Sequence, residues 1–145
     1  MIELATFERE VFTLFDCEGC ESTGYAPTDQ NDDDLILQPA VYFGEYQFDV
    51  ISYYQGVRQA LSPELPPMQL SRVLVVRKDF LSRSFHLSLG EFCLLGELKK
   101  GYPLQQALEI VALNLDIPLS QVLETWLKVG GVRDHWIQAG VFTCE

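Results

Sequence analysis

Residues 77–107, RKDFLSRSFHLSLGEFCLLGELKKGYPLQQA, read as the close of one strand, a return strand and a capped helix, and this reading decides the fold class. Just upstream, Val73-Leu74-Val75-Val76-Arg77 is rich in β-branched side chains. Lys78-Asp79 offers a turn, and Phe80 to Leu87 alternates between apolar and polar, the period of a strand with one covered face. On that period Leu81, Phe85 and Leu87 lie on one side with Arg83, while Phe80, Ser82, Ser84 and His86 lie on the other. Ser88 then opens a helix. Its hydroxyl can accept from an amide of the first turn while Glu91 reaches back to the Ser88 amide, the reciprocal pattern of a capping box. Gly101 is the expected stop, because glycine tolerates the left-handed conformation past a helix end, and Lys99 and Lys100 suit the negative pole there.

Downstream, Pro103 fits a first helical position, followed by a stripe of Leu104, Ala107, Leu108, Val111 and Leu115. A third helix is expected from near Pro118 to Ser120, carrying Val122, Leu123, Trp126 and Leu127 and ending before Gly130-Gly131. Asp134 can cap a last short helix from His135 to Ala139.

Upstream, Leu4, Phe7, Val11, Leu14 and Phe15 have the spacing of an amphipathic helix over Ile2 to Phe15. Asp16 to Asp34 lacks periodicity and reads as a surface loop. Leu35 to Tyr46 suits an edge strand or two short extended pieces broken at Pro39 and Gly44. Phe48 to Leu61 follows as a helix with Val50, Ile51, Tyr54, Val57 and Leu61 near one side, and the prolines of Ser62 to Gln69 make a non-helical connection. The expected fold is α+β: a small antiparallel sheet with a β-hairpin, followed by a three-helix, winged-helix-like bundle. Residues 1–145 form a single domain, with helix, acidic loop, strand and helix over 1–61 and hairpin plus bundle over 72–145.

At 145 residues, 48% of them apolar, the chain can bury one core without disulfides or metal. No apolar run approaches the ~20 residues of a membrane-spanning helix, and no basic, hydrophobic signal segment precedes the first helix, so a cytoplasmic protein with no membrane partner is expected. The net charge of −11 is uneven: residues 1–50 hold twelve acids against one base, and residues 51–145 hold nine of each. Such a surface repels phosphate backbones and attracts a basic partner or peptide; the simpler reading is a solvated acidic face.

Catalytic candidates are thin. His86 and His135 lie in no nucleophile motif, and no glycine pattern matches a phosphate-binding loop, so no catalytic residue and no cofactor is expected. Cys17-Glu18-Gly19-Cys20 is a lone CxxC, half of a zinc site or a redox pair at best; Cys93 and Cys144 supply no second close pair, and the plain alternative is two thiols in a loop. A basic footprint for nucleic acid gathers at Arg72, Arg77, Lys78 and Arg83, yet the third helix carries Glu124 and Lys128 alone among charged residues, which disfavours DNA. Strand addition of an extended peptide to the second hairpin strand has a better physical basis, with Phe80, Ser82, Arg83, Ser84 and His86 as the candidate peptide-binding residues. The competing reading makes Arg83 an inward charge that protects the edge from pairing.

An ordered series of residues also carries a likeness. Glu3-Leu4-Ala5-Thr6-Phe7-Glu8, Phe12, Phe15-Asp16, Leu37-Gln38-Pro39-Ala40-Val41, Val75-Val76-Arg77-Lys78-Asp79, Ser88-Leu89-Gly90-Glu91, Leu94-Leu95, Leu98, Gly101, Leu104, Ala107-Leu108 and Trp136 to Phe142 span most of the chain. The series resembles the C-terminal half of a bacterial DNA-binding-domain family that includes partner proteins of multinuclear non-haem iron oxidases, of the methanobactin-biosynthesis partner-subunit type. The resemblance implies a non-catalytic companion that binds a precursor peptide or its leader and presents it to a modifying oxidase. The family's name implies instead a transcription regulator. Family members commonly carry a further N-terminal helical domain, and this chain begins where that domain would end. Cys17 and Cys20 stand where the family pattern has small or acidic residues.

Overall fold

Val73-Leu74-Val75-Val76 is apolar at every position because the strand it forms is covered on both faces. The computed structural model describes residues 2–21, 24–59 and 68–143. In chain order these give α1 (Ile2–Asp16), β1 (Ile36–Leu37), β2 (Val41–Tyr46), α2 (Val50–Arg58), β3 (Ser71–Lys78), β4 (Leu81–His86), α3 (Leu89–Lys99), α4 (Leu104–Leu115), α5 (Leu119–Leu127), α6 (Val132–Ala139) and β5 (Phe142–Thr143), with a 3-10 turn at Asp32–Asp34. The architecture is mixed α+β, with six α-helices among the described residues. No described helix is long and apolar enough to cross a membrane.

β3 is the middle strand of an antiparallel sheet ordered β2-β3-β4, and β1 pairs separately with β5. Val73 and Val75 turn to a core shared with Phe7 and Leu14 of α1 and Val50 and Ile51 of α2. Leu74 and Val76 turn to the other core, which holds Leu94, Leu95, Leu108, Trp126, Trp136 and Phe142 from α3 to α6 and β5. Trp126 and Trp136 meet edge to face at 5.7 Å, and truncating either to alanine would cost about 3–5 kcal/mol.

Local chemistry explains the element ends. Ser88 Oγ accepts from the Glu91 amide and Glu91 Oε1 from the Ser88 amide, both at 3.2 Å, completing the capping box of α3. Gly101 follows α3 with φ +100°. Asp49 caps α2, its carboxylate accepting from the Ser52 amide at 3.2 Å.

Several expectations shift. The hairpin turn is Asp79-Phe80, one residue later than expected, so Phe80 stands in the turn and Leu81 begins the strand. Gly44 does not break β2: the Tyr42 and Tyr46 hydroxyls meet at 2.6 Å across it, and a side chain at 44 would collide with the Tyr42 hydroxyl. Phe15 is 66% exposed and so lies off the apolar stripe of α1. Pro103 and Pro118 precede α4 and α5 as N-cap residues. The last helix begins at Val132, with Gly131 as its N-cap and Asp134 accepting from the Gly130 amide at 2.9 Å. The strand β5 had no signal beyond the apolar Val141-Phe142. The far end of the Phe48 to Leu61 helix and most of the Pro-rich connection lie outside the described residues, as does Cys144.

Two buried polar side chains join the layers. Gln38 Nε2 donates to the Arg77 carbonyl at 2.9 Å and to the Gly140 carbonyl, while its Oε1 accepts from the Cys20 thiol at 3.4 Å. The Arg77 guanidinium is buried against Glu21 and the end of α1.

Candidate functional site

Among the described residues, β4 is an edge strand of the sheet. Leu87 donates to the Arg72 carbonyl at 2.8 Å, and the pairing runs Val73↔His86, Leu74↔Phe85, Val75↔Ser84, Val76↔Arg83, Arg77↔Ser82, Lys78↔Leu81. In an antiparallel pair the hydrogen-bonded positions alternate, so Leu81, Arg83 and Phe85 direct their backbone groups at β3 while Ser82, Ser84 and His86 direct theirs outward. Among the described residues nothing takes up the outward backbone groups of Ser82 and Ser84.

Beside this edge runs an open cleft of about 630 Å³, with Ser82 to Phe85 of β4 as one wall and Tyr54, Gln55, Arg58 and Gln59 of α2 as the other. Side chains at 82, 84 and 86 share the face of Val75 and Val73, toward α1 and α2, whereas Arg83 and Phe85 share that of Val76 and Leu74, toward the bundle. Phe85 is anchored there by the ring of His135, edge to face at 4.9 Å. Arg83 is exposed.

The cleft therefore gathers Ser82, Arg83 and Ser84 of the expected residues. Phe80 sits outside it at the hairpin tip, its ring 5.8 Å from the Arg77 guanidinium carbon. His86 lies past the other end, with Nε2 2.9 Å from Asp49 Oδ1. Burial pushes the Asp49 carboxyl up, but the hydrogen bonds from His86 and Ser52 outweigh it and hold it below the usual range. Ser52 Oγ donates to the same carboxylate at 2.9 Å, so serine and histidine both address the acid, and the Ser52 hydroxyl is not bonded to the imidazole that would have to activate it. The α2 wall was invisible in the sequence: the periodicity of 48–61 shows a polar helix face without showing what that face neighbours.

Other candidate groups have structural partners. Cys17-Glu18-Gly19-Cys20 wraps the Arg77 side chain: Cys17 gives its carbonyl to Nη1 at 2.6 Å, and a side chain at Gly19 would collide with the guanidinium and with Glu21. Among the described residues no group of three His, Cys, Asp or Glu side chains is placed to hold a metal ion. The basic footprint is dispersed, with Arg77 buried on Glu21, Arg72 paired to Glu45 at 3.0 Å and Lys78 donating to the Gln138 carbonyl at 2.7 Å. Part of the acidic excess is also engaged: Asp32 accepts from Arg133 at 2.6 Å and from the Trp126 indole at 3.0 Å, fastening the 24–34 loop to the bundle. A second recess, about 100 Å³ and open to the surface, is lined mainly by apolar side chains, among them Leu94, Leu108, Val111 and Trp126, with Glu91, Gln121 and Thr125 as its polar groups. Comparison with protein-family models, with curated proteins and with solved structures gives no match.

Proposed function

We propose that the protein is a non-catalytic adaptor that binds a peptide or a protein segment as an added strand on β4. The observation that carries this reading is the open edge: outward backbone groups at Ser82 and Ser84, next to a cleft whose far wall is α2. Main-chain pairing supplies affinity in such a site, and the cleft walls supply selectivity. In this reading the β3–β4 hairpin and the helices after it form a winged-helix-like module whose wing receives the peptide. The likeness to partner proteins of iron oxidases supports a precursor peptide as the ligand and such an oxidase as the protein it serves. The transcription-regulator reading is weaker, because Arg77 is buried and Arg72 is ion-paired, so the basic residues of the hairpin do not form one phosphate-facing surface.

The test is Ser84→Pro. The outward amide at 84 is not used within the sheet, so proline removes a donor at an edge position while the core stays covered. A fluorescein-labelled peptide with alternating Thr and Val residues is expected to slow amide hydrogen exchange at Ser82, Ser84 and His86 in the wild type and to lose its binding to folded Ser84→Pro. Unchanged affinity in the folded variant sinks the edge reading.

A further inference from the structure

The chain is strongly acidic, yet among the described residues the walls of the cleft beside β4 carry two arginines and no acid. Arg58, exposed on α2, is steadied by its own helix, with Nη1 donating to the Tyr54 hydroxyl at 3.2 Å and the guanidinium 5.8 Å from that ring's centre. Arg83 is exposed on the bundle side of β4. Neither pairs with a carboxylate among the described residues, whereas Arg72, Arg77 and Arg133 pair with Glu45, Glu21 and Asp32. Asp49, near the end of the cleft, is already engaged by His86 and Ser52.

An added strand alternates its side chains between the two faces of the sheet. One side chain then faces the α2 wall and Arg58, and the next faces the bundle side and Arg83. A guanidinium presents a planar fork matched to a carboxylate, so two neighbouring acids would each meet one. At physiological ionic strength, charges beyond ~8 Å are largely screened, so groups on the cleft walls act on a bound strand more strongly than acids outside that range. Resting on the edge-strand reading, we propose that the docking segment is an acidic extended peptide with carboxylates at two adjacent positions, one for Arg58 and one for Arg83.

The experiment is fluorescence anisotropy at ~0.15 M salt, using the full chain. Its three fluorescein-labelled peptides share an alternating Thr/Val frame and differ at two central positions, carrying Glu-Glu, Gln-Gln or Lys-Lys. The Glu-Glu peptide is expected to bind about tenfold more tightly than Gln-Gln. The double variant Arg58→Glu with Arg83→Glu, both at exposed sites, is expected to reverse the order in favour of Lys-Lys. Equal affinity for all three, lost in Ser84→Pro, overturns the acidic preference and leaves the edge reading standing. A wild-type preference for Lys-Lys overturns it in favour of attraction by the acidic surface. Failure of all three to bind, or a β4-to-β4 dimer in sedimentation that excludes them, overturns both.

Discussion

Arg77 and Glu21 meet in a two-point contact, Nε to Oε2 at 3.0 Å and Nη2 to Oε1 at 2.9 Å, with the arginine almost fully enclosed. The remaining nitrogen, Nη1, donates to the carbonyls of Leu14 and Cys17, both at 2.6 Å, and of Phe15 at 3.0 Å. Those carbonyls end α1, where the last turn has no intrahelical donors and the helix pole is negative. One side chain from the middle strand thus closes a helix and fixes the loop that follows it.

Removing one partner of a buried pair leaves the other uncompensated. Arg77→Met is expected to lower unfolding free energy by about 3–5 kcal/mol in urea denaturation. Arg77→Lys should also destabilise, because an ammonium cannot serve Glu21 at two points while reaching three carbonyls. Arg77→Met combined with Glu21→Leu should recover only part of the loss, since the carbonyls of α1 stay unserved; full recovery would show that they contribute nothing.

The same contact sets an acid limit. Hydrogen bonding from Arg77 is the largest influence on Glu21 and, against the opposing effect of burial, lowers its carboxyl from 4.5 to about 2. A carboxylate lowered by folding stabilises the native state above its unfolded value and loses that contribution as pH falls through the folded one. Stability is expected to decline between pH 4.5 and about 2. Asp49, also lowered, adds to the decline. Glu21→Gln should be less stable at neutral pH and should flatten this part of the profile; an unchanged slope would assign the acid transition to other groups.

What was legible in the sequence is what local chemistry determines. The hairpin, the capping box of Ser88 and Glu91, and the Gly101 stop depend on neighbours a few residues apart, and all three are present. The turn slipped by one residue because Lys78-Asp79 and Asp79-Phe80 are both poor matches to the Asn-Gly type that marks a two-residue loop. Arg77 reads as a surface base because its partners stand about 60 positions away, and the sequence holds no sign of their approach. For the same reason half of the cleft was legible, the β4 half, while Arg58 and Tyr54 joined it through tertiary packing.

Gln38 offers a test of the second buried join. Its amide serves carbonyls from β3 and from the end of α6, and no water-exposed route replaces it, since the residue is 1% exposed. Gln38→Leu keeps most of the volume and removes the donors, so a loss of about 2–4 kcal/mol is expected from two unsatisfied carbonyls. Gln38→Glu should be worse at neutral pH, because it places a carboxylate against those carbonyls. Urea denaturation curves with unchanged slopes would read both losses as stability alone.

Phe80 links strain to the proposed site. Asp79 and Phe80 have φ of +52° and +66°, the left-handed pair that matches hairpin twist and that glycine fills most easily. A side chain with a Cβ costs roughly 1–2 kcal/mol there. The turn is held by the Asp79 amide on the Tyr25 hydroxyl at 2.8 Å, by the Phe80 amide on Glu21 Oε2 at 3.2 Å, and by the Arg77 guanidinium over the ring. These contacts keep a ring that is 67% exposed at the tip of the strand proposed to receive a peptide. Phe80→Gly retains both amide bonds, so relief of strain should exceed the ~0.5–1 kcal/mol lost with the cation–π contact and raise stability modestly. Phe80 lies outside the cleft, and if the proposed binding surface extends to the hairpin tip, its retained strain predicts the opposite change in function. Affinity for the Glu-Glu peptide should fall severalfold in the more stable variant, and equal affinity would remove Phe80 from the binding site while leaving the cleft intact.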